Sequence, residues 1–251
     1  MPSILVVGAA SGIGKAFVCL YLQDPDNKVI AADLAFGIGD KISVEGAYRK
    51  DVCSNAKGEL SSVLSFDISH EIESQRLAEL LPVLNLIVHS AGIRGLQPNI
   101  PITCSSDVTR AETWSVMSVE TIQRTFQVNA VGTFLLLKAM MPRLSPASHA
   151  KVIIMGSRMG STNHNITGGA YAYRASKAAL NAIVKSFAID VPEIVFVVMH
   201  PGRVESGLVS VKEDGAISAE ESVNDMGRLI EGLGKDDSGR FMDRFGIDIP
   251  W

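Results

Sequence analysis

The sequence predicts a doubly wound α/β fold, with a mostly parallel, seven-stranded sheet flanked by helices. Three observations lead there. Short β-branched runs alternate with helix-compatible stretches, which is the pattern of repeated strand–helix–strand units. The first such run passes directly into a glycine-rich turn that opens a helix. No internal repeat, low-complexity linker or apolar run of membrane-spanning length interrupts the alternation. At 251 residues the chain is long enough for one large domain, predicted to cover 1–251.

Composition narrows the functional classes. With 47% hydrophobic and 20% charged residues, the chain reads as an ordinary globule. A net charge of −4 offers no basic field for nucleic acid or anionic lipid, so neither partner is expected. Met1 to Ala10 lacks the basic start and long apolar core of a targeting signal. Cys19, Cys53 and Cys104 are odd in number and scattered, which predicts reduced thiols and a cytoplasmic location. No CxxC, HExxH or Cys/His cluster occurs, so no metal is expected.

Ile4 to Val7 reads as the first strand, buried on both faces. It runs into Gly8-Ala9-Ala10-Ser11-Gly12-Ile13-Gly14, after which Lys15 to Leu22 is helical in character. Strand, glycine turn and helix in that order present main-chain N–H groups and a positive helix end to a pyrophosphate. Lys28 to Ala32 is the second strand. Asp33 at its end stands where a carboxylate grips a ribose 2′-hydroxyl and repels a 2′-phosphate. NAD(H) is therefore favoured, with NADP(H) possible because Lys15, Arg49 and Lys50 can offset the repulsion. Val63 to Phe66 is the third strand, with Asp67 and Ile68 after it near an adenine position, and His70 to Leu81 is a crossover helix.

Leu84 to His89 is the fourth strand. Ser90, Ala91 and Gly92 follow it and are small enough for a cofactor to approach the backbone. His89 itself reads as a packed core histidine. Arg94 to Val116, with Pro98 and Pro101, is predicted as one long loop. Ser118 then caps a helix whose buried stripe is Ile122, Phe126, Ala130, Thr133, Leu137 and Met140. Asn129 falls beside that stripe, where an amide needs partners.

Lys151 to Met155 is the fifth strand, with Ser157 just past its end. Ile194 to Met199 is the sixth, followed by a rigid turn through Pro201 and Gly202. A helix near Ala219 to Leu233 and a short strand near Arg240 to Met242 complete the order. Between Ser157 and the sixth strand lies an alanine-rich helix from Ala170 to Val191. Tyr173 and Lys177 share one face of it at i and i+4, their roots about 5–6 Å apart. A phenol near a cation can trade a proton with an alcohol or carbonyl near neutral pH. Tyr171 is the rival phenol, but it lies on a different face.

The glycine pattern Gly8 to Gly14, Asn129 in a helix, Ser157 after a strand, Tyr173-x-x-x-Lys177 and Pro201-Gly202 resemble, in that order, the short-chain dehydrogenase/reductase family. The likeness covers nearly the whole chain. Ser157 to Ser161, Tyr173 to Asn181 and Ile249-Pro250-Trp251 look like its C-factor and sniffer-type carbonyl reductase branch. The resemblance implies a Rossmann fold and NAD(P)-dependent interconversion of a carbonyl and an alcohol on a small-molecule substrate. It implies that Tyr173 is the general acid/base and that Lys177 lowers its pKa and holds the nicotinamide ribose. Ser157 would bind the substrate oxygen, and Asn129 would help place a water that links Lys177 to solvent. Val204 and Ser206, with Pro201 and Gly202, would meet the nicotinamide end. It also implies a homodimer or homotetramer built on the two long helices. Two alternatives stay open: a dinucleotide-binding regulator without turnover, and an epimerase or dehydratase on the same scaffold. The chain departs from the family at Val7, at His89-Ser90 where two asparagines are usual, and at Asp33, which is basic in many carbonyl reductases of this branch.

Overall fold

The computed structural model describes residues 1–10, 12–36, 53, 56–144 and 149–251. Seven strands form one sheet: β1 (Ser3–Val7), β2 (Lys28–Ala32), β3 (Glu59–Leu64), β4 (Leu86–His89), β5 (Lys151–Met155), β6 (Val195–His200) and β7 (Arg240–Asp243). Their spatial order is β3-β2-β1-β4-β5-β6-β7. Every neighbouring pair is parallel. The chain steps outward from β1 to β3, then returns to the other side of β1 at β4. That reversal opens a crevice beyond the carboxyl ends of β1 and β4, where folds of this type bind ligands.

Helices cover both faces because both faces of the strands are apolar. Along β1, Ile4 and Val6 join one core with Phe17 of α1 (Gly12–Tyr21) and with Met226 and Ile230 of α7 (Ala219–Gly232). Leu5 and Val7 point the other way, toward Leu77 of α2 (Glu71–Leu80), Leu137 of α5 (Gly132–Met140), and Leu180 and Val184 of α6 (Tyr171–Asp190). Burying one such leucine or phenylalanine stabilises the fold by about 1.5–3 kcal/mol. The two-sided alternation therefore fixes which way every strand faces.

The structure corrects several expectations. β3 begins at Glu59, earlier than its apolar run, because as an edge strand it tolerates Ser61 and Ser62 and pairs only with β2. It ends at Leu64, which leaves Asp67 in the following turn. The long loop contains a short helix, α3 (Ser105–Arg110). Local polar bonds nucleate it: the Asp107 carboxylate accepts from Thr103 Oγ1 at 2.6 Å and Thr103 N at 2.9 Å. Apolar spacing could not reveal such a helix.

The helix after Ser118 is not uniform. It runs as α4 (Val119–Phe126), a π turn (Gln127–Val131) and α5. Ala130, Thr133, Leu137 and Met140 are buried, whereas Ile122 and Phe126 are 37% and 39% exposed. One extra residue in a helix rotates the faces on either side by about 100° relative to each other. The predicted stripe is therefore split at the π turn.

Cys19 and Cys53 form a disulfide across 34 positions of sequence. Leu22 O, just beyond α1, accepts from Lys57 N and Gly58 N, and this holds the approach to β3 against that helix. Residues distant in sequence thus become neighbours, which overturns the expectation of reduced thiols for Cys19 and Cys53 and the compartment argument built on it, while Cys104 is free. Among the described residues no helix is long and apolar enough to cross a membrane.

Candidate active site

A cleft of about 920 Å³ lies over the carboxyl ends of the strands, within the range of small-molecule and cofactor sites. At one end its wall is main chain. Gly8 has φ +83°, and a Cβ there would lie 2.5 Å from Ala91 N. A Cβ on Gly14 would lie 2.0 Å from Gly8 O, and one on Gly12 would lie 2.4 Å from Ser206 O. No side chain fits at these positions, and the space kept free is the kind of cradle a phosphate needs. Gly8, Ile13 and Gly14 line the cleft. Ser11 lies outside the described residues, as do Arg49 and Lys50.

Asp33 also lines this end. Its carboxylate accepts from Ala10 N and from Ala35 N, both at 2.9 Å, and so ties the glycine turn to the end of β2. Ser90 donates its hydroxyl to Val7 O at 2.9 Å, so the smaller side chain still braces β1 against β4. Ser90, Ala91 and Gly92 line the cleft, as do Asp67 and Ile68. Burial would raise the Asp67 pKa, but hydrogen bonds from the Ser69 hydroxyl and N–H, with His70 beside it, hold it below the usual carboxylate range.

At the other end the wall is side chains. Ser157 follows β5, and its Oγ accepts from Met159 N at 3.2 Å. The same hydroxyl and the Tyr173 phenol face the one cleft, close enough for Ser157 to pull the phenol toward ionisation. Tyr173 is 6% exposed and Tyr171 is 46% exposed, so only Tyr173 is built into the cleft. Lys177 Nζ lies 5.8 Å from the Tyr173 ring centre and donates to Met155 O at 2.8 Å. Burial pushes the Lys177 ammonium down to about 8. Burial also pushes the Tyr173 phenol up, against the pull of Arg94 and of the Ser157 hydroxyl. The strongest nearby cation is thus Arg94 and not Lys177, whose ammonium is turned toward the β5 carbonyl.

Asn129 sits in the π turn, a helix irregularity frequent at functional sites. Its Oδ1 accepts from Ile93 N and its Nδ2 donates to Ile93 O, both at 2.8 Å. Nδ2 also donates to Ser176 Oγ at 3.0 Å. Every polar atom of the amide is therefore engaged, and it pins the chain after Gly92 to α6 beside Lys177. Pro201, Gly202, Val204 and Ser206 line the cleft after β6. His89 does not face it. The ring is buried, with Nε2 2.9 Å from Thr133 Oγ1, and burial with the nearby Lys177 charge pushes it down to about 3.

The segments 94–116, 159–167 and 205–219 are expected from sequence to shape the pocket, but the individual side chains that do so are not singled out there. Arg94 forms a bidentate ion pair with Glu112, its Nη2 donating to Glu112 Oε2 at 3.0 Å. The Arg94 guanidinium lies 4.8 Å from the centre of the Tyr173 ring. Met159, Arg174 and Glu213 line the same end. Arg94, Met159 and Glu213 come from segments outside the long helices that meet in space, whereas Arg174 follows Tyr173 on α6; no local spacing marks the first three.

The comparisons with known proteins agree with this arrangement. A protein-family model described as short chain dehydrogenase matches residues 2–216. The chain is 38% identical over 170 residues to the C-signal protein of Myxococcus xanthus, covering 67% of this chain and 93% of that one. Among solved structures it resembles carbonyl reductase Sniffer of D. melanogaster at 25% identity, with a TM-score of 0.78 and complete coverage of both chains. The NADPH-bound carbonyl reductase from chicken fatty liver shares the fold at a TM-score of 0.78 and 23% identity, covering 100% and 99% of the two chains. On its sequence, its parallel seven-stranded sheet and its glycine-turn cleft, this chain belongs to the short-chain dehydrogenase family of NAD(P)-dependent oxidoreductases.

Proposed function

We propose that the chain, as one catalytic unit over 1–251, interconverts a ketone or aldehyde and the corresponding alcohol, with Tyr173 as the general acid/base. The observation that carries this reading is the buried Tyr173 phenol sharing one cleft with the Ser157 hydroxyl, with Lys177 one turn along the same helix. Gly8, Gly12, Gly14 and Asp33 would hold the adenosine and pyrophosphate of a dinucleotide; Asp67, Ile68, Ser90, Ala91 and Gly92 would flank it. Lys177, Pro201, Gly202, Val204 and Ser206 would hold its nicotinamide half. When bound, the cofactor supplies or accepts the hydride.

The chain's own groups do the rest. Ser157 donates to the substrate oxygen and holds it beside the phenol. In reduction, Tyr173 gives its proton to that oxygen as the carbon becomes an alcohol; in oxidation it takes the proton back. Lys177 keeps a positive charge at the base of the phenol. Asn129 fixes the backbone at Ile93 and the α6 face through Ser176, which keeps a route for protons between Lys177 and solvent. Asp33 favours NAD(H), because a second negative group beside its carboxylate is repelled. The test is to follow nicotinamide absorbance with NADH or NADPH and a panel of ketones and aldehydes, and with NAD+ or NADP+ and alcohols. Turnover of at least one carbonyl class supports the reading. Tight dinucleotide binding without turnover across the panel would replace it with a binding protein.

A homodimer or homotetramer is part of the same proposal. Val119, Ile122, Phe126 and Phe134 on α4 and α5, and Tyr171 and Ile189 on α6, are apolar or aromatic and exposed. Light scattering should give a multiple of the 26.8 kDa chain mass; a monomer at micromolar concentration would reject this part.

A further inference from the structure

Arg94 and Glu112 stand apart from the groups that the proposed reaction uses. Both are largely buried, with side chains 14% and 6% exposed. Taking two charges out of water is costly, and a buried ion pair is weak evidence for stability. Its cost needs another account, and the pair's surroundings offer one. The guanidinium is planar and lies 4.8 Å from the centre of the Tyr173 ring. Glu112 grips it with both carboxylate oxygens. The main-chain oxygen of Glu112 also accepts from Ala170 N at 3.0 Å. Ala170 is the residue immediately before α6 and has φ +48°, a left-handed conformation that a residue with a Cβ rarely adopts. One residue thus holds both the strained entry to the helix that bears Tyr173 and the cation that covers its ring.

We propose that Arg94, oriented by Glu112, is a positioning residue that sets the orientation and the charge environment of the Tyr173 phenol. This rests on the proposed role of Tyr173. The groups facing the phenol come from every element around it. Arg94 comes from the segment after β4, Glu112 from the segment after α3, and the Ser157 hydroxyl from the end of β5. Glu213 comes from the segment before α7, and Lys177 from α6 itself. Arg174, also on α6, bears on Arg94. Arg94 pulls the phenol toward ionisation, whereas Glu112 and Glu213 oppose it. Removing either member of the pair therefore has opposite consequences for Tyr173, which a merely structural role does not predict.

The test needs no substrate. The chain contains four tyrosines, so the protein labelled with ζ-13C tyrosine gives few phenol signals, and Tyr173→Phe identifies the one that matters. Arg94→Gln should move the Tyr173 titration upward by about one pH unit, the lower end of what a single nearby charge does. Arg94→Lys should restore most of the shift, and Glu112→Gln should move the titration downward. Should Arg94→Gln fail to fold with Glu112 left unpaired, the double variant Arg94→Met with Glu112→Gln leaves no lone buried charge. It should still titrate above the wild type. A Tyr173 signal that does not move in the folded Arg94 variants overturns the inference alone. Retained turnover in Tyr173→Phe overturns the role of Tyr173 on which it stands.

Discussion

At the β1–β2 end of the cleft the wall is main chain held open by glycines, and the Asp33 carboxylate accepts from two backbone N–H groups. At the β5–α6 end the wall is made of side chains. Tyr173, Lys177, Arg94 and Glu112 are all buried or nearly so, and their charges are balanced against one another. In the proposed reading the first end would recognise a shape common to all dinucleotides and would need little ionisable chemistry. The second would move a proton, and it carries titratable groups in a setting that raises or lowers several of them. The first should therefore fail by steric exclusion and the second by loss of charge balance.

The largest expected effect is at the main-chain end. Gly14→Ala places a methyl where Gly8 O and Ser90 Oγ already lie. Folding and dinucleotide binding together should lose upwards of about 4 kcal/mol. Calorimetric titration with NADH and a thermal melt would measure it, and a variant that binds as the wild type does would break the comparison.

The next effect is at the side-chain end and has the opposite sign. Burial pushes the folded Lys177 ammonium down to about 8 from an ordinary 10.5. Between those values the unfolded chain binds more protons than the folded one, so stability rises with pH across that window. At pH 7 the buried ammonium costs roughly 3 kcal/mol. Lys177→Met should therefore be more stable than the wild type at pH 7 by up to about that amount. The gain should vanish as the pH approaches 10.5. Urea melts at several pH values would show this. A gain independent of pH would point to packing instead of charge.

The smallest effect sharpens the first end. Asp33→Asn keeps an acceptor for the glycine turn but removes the charge proposed to repel a 2′-phosphate. The preference for NADH over NADPH in kcat/KM should shift by ten- to a hundredfold toward NADPH, about 1.4–3 kcal/mol. An unchanged ratio would show that discrimination lies elsewhere.

The two ends also differ in how far they can be read from sequence. The glycine turn and Asp33 are legible because sterics demand glycine at particular backbone positions, and a strand end is a fixed distance from its turn. Tyr173 and Lys177 are legible because helix periodicity puts them on one face, and Ser157 because it follows an unmistakable strand. Arg94 and Glu112 are not, since they meet only through the long segment between β4 and α4. The short helix α3, nucleated by Asp107, was hidden for the same reason: polar local bonds have no period. The π turn at Asn129 misplaced Ile122 and Phe126, which one continuous helix would bury. Cys19 and Cys53 show the general limit, for proximity across 34 residues is a property of the fold.

The central claim is that the buried phenol of Tyr173 carries the proton while the glycine-turn end independently holds the cofactor. Tyr173→Phe tests it most directly, with NADH affinity measured by fluorescence and turnover measured on whichever carbonyl the wild type reduces. The account predicts an affinity within a few-fold of the wild type and turnover reduced at least a hundredfold, the lower end of what general acid/base catalysis contributes. Turnover equal to that of the wild type, with the cofactor still bound, would contradict it.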